Sequence, residues 1–281
     1  MTRPCRSFLY LPASRDRALV KAASLPADAL IFDLEDAVAP DEKLRARLLL
    51  AAALNSTDYG RRLRLVRMNG LDTAWGPDDL AVFGAHSGVD ALLIPKVNGP
   101  ADLNAAARLA PGKPLWAMME TAAGMLNAAP IAAHPALAGM VMGTNDLARE
   151  LGSRPRPDRL PLLAGMGLCL LAARAHRRVI IDGVYNEFQD DAGLRTECEQ
   201  GRDLGFDGKT LIHPAQLAVA NAVFSPSEAE VALAHRQIAA FAMAQAAGQG
   251  VAVLDGKIVE NLHIVTAKLI LAKAAAIALL G

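Results

Sequence analysis

Aromatic side chains make up only 4% of this 281-residue chain, and its 29 basic residues are matched by 29 acidic ones. The first scarcity leaves few stacking platforms for single-stranded nucleic acid. The second removes the net field that draws in a polyanion or an anionic membrane surface. A small-molecule ligand is what remains. Cysteine is scarce too: Cys5, Cys169 and Cys198 are odd in number and show no paired spacing. That argues against a disulfide framework, a zinc site or a redox motif, and it fits a reduced cytoplasm. The apolar run at the start, in MTRPCRSFLYLP, ends at Pro12 and is too short for a signal-peptide core; it reads as a first strand. The most apolar C-terminal stretch, 264–280, carries Lys268 and Lys273 inside it. A charge there is costly in a spanning helix, so an amphipathic or buried helix is expected and no membrane partner.

Two phosphate-binding signatures are also missing. No G-x-G-x-x-G follows the first strand, which removes the usual dinucleotide mark of a doubly wound sheet. Gly208-Lys209-Thr210 fails as a phosphate loop because Asp203 stands where the earlier glycine is required; it reads as the entry to a strand.

What the chain does have is alternation. In ALIFDLEDAV, over 29–38, a continuous apolar run stops at Asp33, Glu35 and Asp36. A strand buried on both faces must be apolar throughout, so carboxylates at its end lie where it leaves the core. The pattern recurs: SFLYLP, ALIFDLE, LRLVRMN, ALLIPKV, LWAMMET, GMVMGTND, VIIDGVY and KTLIHP are the strands. Helical stretches follow them over 15–25, 42–54, 77–86, 101–109, 124–133, 159–178, 191–204 and 215–224. Eight strand-helix units predict an α/β fold closed as a TIM (β/α)8 barrel over 1–224, with an open doubly wound sheet as the alternative. Beyond it, 225–281 forms a C-terminal helical extension: a long helix from Ser225-Pro226-Ser227 to about Ala247, a hairpin turned at Asp255-Gly256, and a last helix over 261–280. The extension covers either a neighbouring subunit or its own barrel.

In a TIM barrel the active site lies at the carboxyl ends of the strands. Those ends carry Asp33, Glu35 and Asp36, then Arg67 and Asn69, Lys96, Glu120, Asn145 and Asp146, Asp182, and His213. Glu120 and Asp146 end neighbouring strands. Oxygen ligands without cysteine or clustered histidine suit a hard cation, which predicts Mg²⁺ on this pair; for Asp146 the alternative is a cap on a helix beginning at Leu147. Arg67 can offer a planar fork to a carboxylate or an enolate oxygen, or pair with one of the rim acids. His213, alone before a proline, reads as structural.

The ordered set RSFLYLPAS, IFDLEDAV, VRMNG, IPKV, METAAGMLNA, MGTNDLA, DGVYNEFQD and GFDGKTLIHPAQ resembles the HpcH/HpaI aldolase and citrate lyase beta-subunit (CitE-like) family. METAAGMLNA and the tail LDGKIVENLH are similar to its malyl-CoA branch, although Asn145 stands where many members have an acid. The resemblance implies a homotrimeric or otherwise homo-oligomeric Mg²⁺ enzyme acting on a CoA thioester and a 2-oxo acid. It implies metal on Glu120 and Asp146, with substrate contacts at Arg67, Glu120, Gly143 and Asn145. Asp255 is implied to reach the adjacent subunit's site and handle a proton there, and Glu35 and Asp36 to hold water beside the metal. Arg15 and Lys21 are implied for the CoA phosphates, or else form a solvated helix face. The leading expectation is carbon-carbon cleavage of a malyl-, methylmalyl- or citramalyl-CoA. The alternatives are a (3S)-malyl-CoA thioesterase and a citrate lyase beta subunit acting on an acyl carrier protein thioester.

Overall fold

The computed structural model describes residues 3–280, which divide into two compact units: Cys5–Asn221, and 222–280 together with 3–4. In the first unit, eight parallel strands close into a barrel in sequence order. They are β1 (Ser7–Pro12), β2 (Ala29–Asp33), β3 (Leu63–Arg67), β4 (Ala91–Ile94), β5 (Leu115–Met119), β6 (Leu137–Met142), β7 (Val179–Asp182) and β8 (Gly208–Leu211). Helices connect them: α1 (Asp16–Ala22), α2 (Lys43–Ser56), α3 (Gly76–Phe83), α4 (Pro100–Leu109), α5 (Ala122–Leu126), α6 (Ala128–Ala132), α7 (Thr144–Glu150), α8 (Leu163–Ala175), α9 (Asp191–Leu204) and α10 (Leu217–Phe224). Closure follows from composition. Strands that are apolar on both faces need cover on both, and parallel pairing supplies it with a helix layer outside and packed side chains within.

Successive strand residues point to opposite faces, so the barrel interior is set by parity. Phe8, Ala29 and Ile31, Leu65, Leu93, Trp116 and Met118, Val141 and Ile181 pack together inside. Continuing that parity toward the carboxyl ends reaches Tyr10, Asp33, Arg67, Glu120 and Gly143. The inner layer is tight: a Cβ on Gly139 would lie 2.5 Å from the Trp116 ring.

Three local expectations are corrected. The helix expected over 124–133 is two short ones, α5 and α6, parted at Asn127, whose side chain donates to the Asn98 carbonyl at 2.7 Å. The helix expected from 159 begins at Leu163, after a 3-10 turn at Leu160–Leu162, because Arg159 is left-handed (φ 51°). Asp146 lies in the first turn of α7, which begins at Thr144 and not at Leu147.

The second unit contains α11 (Glu228–Ala246), the antiparallel hairpin β9 (Ala252–Leu254) and β10 (Lys257–Val259), and α12 (Asn261–Ala278). Ser227 caps α11 reciprocally with Glu230, which satisfies amides that the first helical turn leaves free. Phe241, Ala244, Ala252, Val259 and Ile264 form its core. By length and composition α12 could cross a membrane, with a mean hydropathy of 1.4, and 17% of it is buried. Leu262, Val265 and Leu269 face outward.

Candidate active site

The mouth of the barrel opens on a cavity of about 350 Å³ lined by Tyr10, Asp33, Asp36, Arg67, Met118, Glu120, Gly143, Asn145, Asp146 and Asn186, among others. Register builds its charged floor. Asp33 and Arg67 are direct partners across β2 and β3 and share the inward parity. The result is a fork: Arg67 Nε donates to Asp33 Oδ1 at 2.8 Å and Nη2 to Oδ2 at 2.6 Å. Nη1 lies 3.0 Å from Glu35 Oε2 and 3.2 Å from Asp36 Oδ2. The guanidinium also sits over the Tyr10 ring, 5.0 Å from its centroid. Burial works against the Arg67 charge, but Asp33 and Glu35 more than offset it and hold its pKa well above the usual range. The bidentate face of Arg67 is therefore spent on Asp33. Only its remaining N–H bonds can meet a ligand.

Asp33 also accepts from the amides of Glu35 and Ala37, and the Lys43 ammonium donates to the carbonyls of Leu34 and Glu35. These contacts pin the turn after β2. Glu35 is buried behind the rim and does not line the cavity. Burial raises its pKa, against the pull of Arg67 and Lys96. Among the described residues its Oε2 makes no hydrogen bond and is held to Arg67 as an ion pair only.

Glu120 is 1% exposed, and burial, with Glu35 as the next cause, pushes its pKa up to about 7; Asp146 adds to the push. Its Oε1 accepts from the Lys96 backbone amide at 2.7 Å. A Cβ on Gly143 would fall 2.4 Å from Glu120 Cβ and 2.5 Å from its Oε2, so glycine is what allows the carboxylate to lie against β6. Asp146, on α7, pairs with Arg149. The described residues contain no cluster of three or more histidine, cysteine or acidic side chains set for a metal. The carboxylates of Glu120 and Asp146, which line the same cavity, still fit a divalent ion that keeps several waters, as Mg²⁺ does. Such an ion would relieve the strain that burial places on Glu120.

The remaining expected residues lie apart. Arg15 and Lys21 are exposed at the two ends of α1 and do not line the cavity. Asp182 and His213, counted among the polar strand ends, do not reach it either. Asp182 has the outward parity and is fully buried against the helix layer, where Arg159 at 2.8 Å and Lys209 at 3.1 Å neutralise it. His213 accepts from the Ala215 amide and caps a 3-10 turn. In its own unit Asp255 occupies the β9–β10 turn with φ 51° and pairs with Arg236.

Sequence reasoning missed Tyr10, Met118, Thr144 and Asn186 in the cavity wall. Tyr10 was legible in principle, as the polar-tipped residue two beyond Phe8 in an otherwise apolar strand. Its hydroxyl lies 3.4 Å from Met118 Sδ, and burial holds its proton far above the usual range. Asn186 exchanges two hydrogen bonds with Asn145, at 3.1 and 3.0 Å. Both asparagines also line a second cavity of about 700 Å³ beside the first.

A model of the HpcH/HpaI aldolase/citrate lyase family matches residues 6–214. A (3S)-malyl-CoA thioesterase of Cereibacter sphaeroides (strain ATCC 17029 / ATH 2.4.9) is 70% identical over 275 residues, covering 98% of this chain and 96% of that one. An L-malyl-CoA/beta-methylmalyl-CoA lyase of the same strain is 35% identical over 302 aligned positions, covering 97% and 95%. Among solved structures, the protein CitE from Mycobacterium tuberculosis in complex with magnesium, acetoacetate and coenzyme A superposes with a TM-score of 0.82. Its sequence is 32% identical, over 96% of this chain and 97% of that one.

Proposed function

The chain belongs to the HpcH/HpaI aldolase/citrate lyase family, and from that premise we propose that it hydrolyses the thioester of (3S)-malyl-CoA to malate and CoA. The observation that carries this reading is the 70% identity to a (3S)-malyl-CoA thioesterase over nearly the whole chain, twice the identity to the lyase. The sequence alone put carbon-carbon cleavage first, and this difference in identity reverses that order.

In this reading Glu120 and Asp146 would hold Mg²⁺, which would supply Lewis-acid polarisation of a substrate oxygen. Arg67, its guanidinium plane fixed by Asp33 and Tyr10, turns its free N–H bonds toward the oxygen where charge develops as water adds to the thioester carbon. Glu35 and Asp36 keep Arg67 from rotating away, and Asp36, which lines the cavity, orders water at the rim. Gly143 and Asn145 meet the substrate's carboxylate end. Arg15 and Lys21, solvated and cationic, meet the CoA phosphates. Asp255 takes the proton of the attacking water, and the electron pair of the broken carbon-sulfur bond leaves on the CoA sulfur, which that proton then neutralises.

Incubating the purified protein with Mg²⁺ and (3S)-malyl-CoA tests the reaction. Malate and free CoA are the expected products. Glyoxylate and acetyl-CoA would return the chain to the lyases.

The reading also has Asp255 serving a neighbouring subunit, with 222–280 as the interface. It is supported by the apolar side chains that this unit leaves exposed, including Val253, Ile258 and Leu269 at 60% or more. Mixing inactive Asp255→Ala and Glu120→Ala proteins, with subunit exchange verified by mass, then rebuilds sites from one chain's Glu120 and another's Asp255. Random assembly makes about a quarter of the sites intact, so about a quarter of wild-type activity is expected. Exchange without recovery rules out action across the interface.

A further inference from the structure

We propose that Lys96 is the positioning residue of the Glu120 carboxylate, which it aims with a backbone N–H that points correctly only while Lys96 stays in the left-handed conformation. The proposal rests on the reading of Glu120 as a cation ligand.

Lys96 follows β4 and Pro95 with φ 50°. The Cβ of an L-residue crowds the backbone there, and residues other than glycine, asparagine and aspartate rarely adopt it. The three other non-glycine residues of this kind among those described are Arg159, Arg177 and Asp255. Arg159 lies in a loop with its side chain buried on Asp182, Arg177 follows α8, and Asp255 makes a hairpin turn. Lys96 alone among them bonds a side chain that lines the barrel-mouth cavity, that of Glu120. Such a conformation persists only where the surroundings over-determine it, and here two contacts do so. The Lys96 amide donates to Glu120 Oε1 at 2.7 Å, and its ammonium donates to Glu35 Oε1 at 3.1 Å. The two carboxylates follow different strands, β5 and β2, so one residue ties both to the turn after β4.

The bond to Oε1 fixes the plane of a carboxylate whose other oxygen lies over Gly143. A carboxylate fixed in this way meets a cation without first losing rotational freedom. Partners that orient a metal ligand typically contribute about 10- to 100-fold in metal affinity. The ammonium plays a separate part, anchoring the turn through its hold on Glu35, while the amide does the aiming.

The test compares Lys96→Gly, Lys96→Ala and Lys96→Val. All three lose the ammonium and keep the amide, but they differ in tolerance of positive φ, from glycine, which adopts it freely, to valine, which resists it most. Binding of Mg²⁺ alone, without substrate, is measured by calorimetry, with circular dichroism as the check on folding. Lys96→Gly is expected to bind within about 3-fold of wild type, Lys96→Ala more weakly, and Lys96→Val about 10-fold more weakly. If Lys96→Val does not fold, the glycine and alanine variants decide by the same order. A flat series, with wild type binding Mg²⁺, overturns the role of the backbone amide and leaves the metal site standing. A wild-type protein that binds no Mg²⁺ overturns the cation reading and this inference together. Because no substrate is present, the identity of the reaction products is decided independently.

Discussion

At pH 8 and without metal, the Glu120→Gln protein is expected to unfold at a higher temperature than wild type, and to show no metal-dependent turnover when Mg²⁺ is supplied. Both halves follow from one observation. Glu120 is buried and its pKa is raised from 4.5 to about 7, so the folded state bears the cost of its charge once the pH exceeds that value. At about 1.4 kcal/mol per unit the cost reaches ~3 kcal/mol. Glutamine keeps the shape and still accepts from the Lys96 amide, but carries no charge. The folded pKa lies above the unfolded one, so wild type loses stability as pH rises from about 4.5 to 7, and the gap between the two proteins opens over that window. Below about pH 4.5 the gap closes. If the proposed cation acts in the transition state, losing it should lower turnover by about 10³-fold or more, equivalent to ~4 kcal/mol. Mg²⁺ should raise the melting temperature of wild type and leave the variant unmoved. A variant that is less stable at pH 8, or still active and responsive to Mg²⁺, removes Glu120 from the metal site.

Arg67→Ala should lose stability by about 3–5 kcal/mol, the usual cost of leaving a buried charge without its partner. Asp33 is the main reason: it is 1% exposed and gives both carboxylate oxygens to the guanidinium, while Glu35 loses one of its two cations. Arg67→Lys keeps one charge but cannot fork, so its stability should fall between the two. Its turnover should drop by about 10²-fold, near 3 kcal/mol, because the ammonium follows Asp33 and leaves the substrate oxygen. Pairing Arg67→Met with Asp33→Asn separates structure from catalysis. With both charges gone, much of the stability should return in denaturant titrations, and the activity should not. Recovery of activity in that double variant would make Arg67 structural alone.

The chain's own pattern determined the architecture. Each apolar run is long enough for one strand and is followed by a helical stretch, and eight such units have no more economical arrangement than a closed parallel barrel with its polar ends at one mouth. That pattern by itself is enough to bring Asp33, Arg67, Glu120 and Asp146 to the mouth, where they surround the 350 Å³ cavity. The sequence could not say which polar strand ends turn inward. A strand buried on both faces shows no alternation, because inside and outside are equally apolar, so VIID and LWAMME look equivalent as strings of residues. Closure and register decide. Glu120 continues the parity of Trp116 and Met118 into the mouth, whereas Asp182 has the opposite parity to Ile181 and pairs outward with Lys209, its register neighbour on β8. The same geometry spends the Arg67 fork on Asp33, its partner across the ladder. The left-handed turn at Lys96 was hidden for a different reason: no local signal announces it, since lysine has no preference for positive φ. The contacts to Glu120 and Glu35, 24 and 61 residues away along the chain, meet it only once the chain has folded.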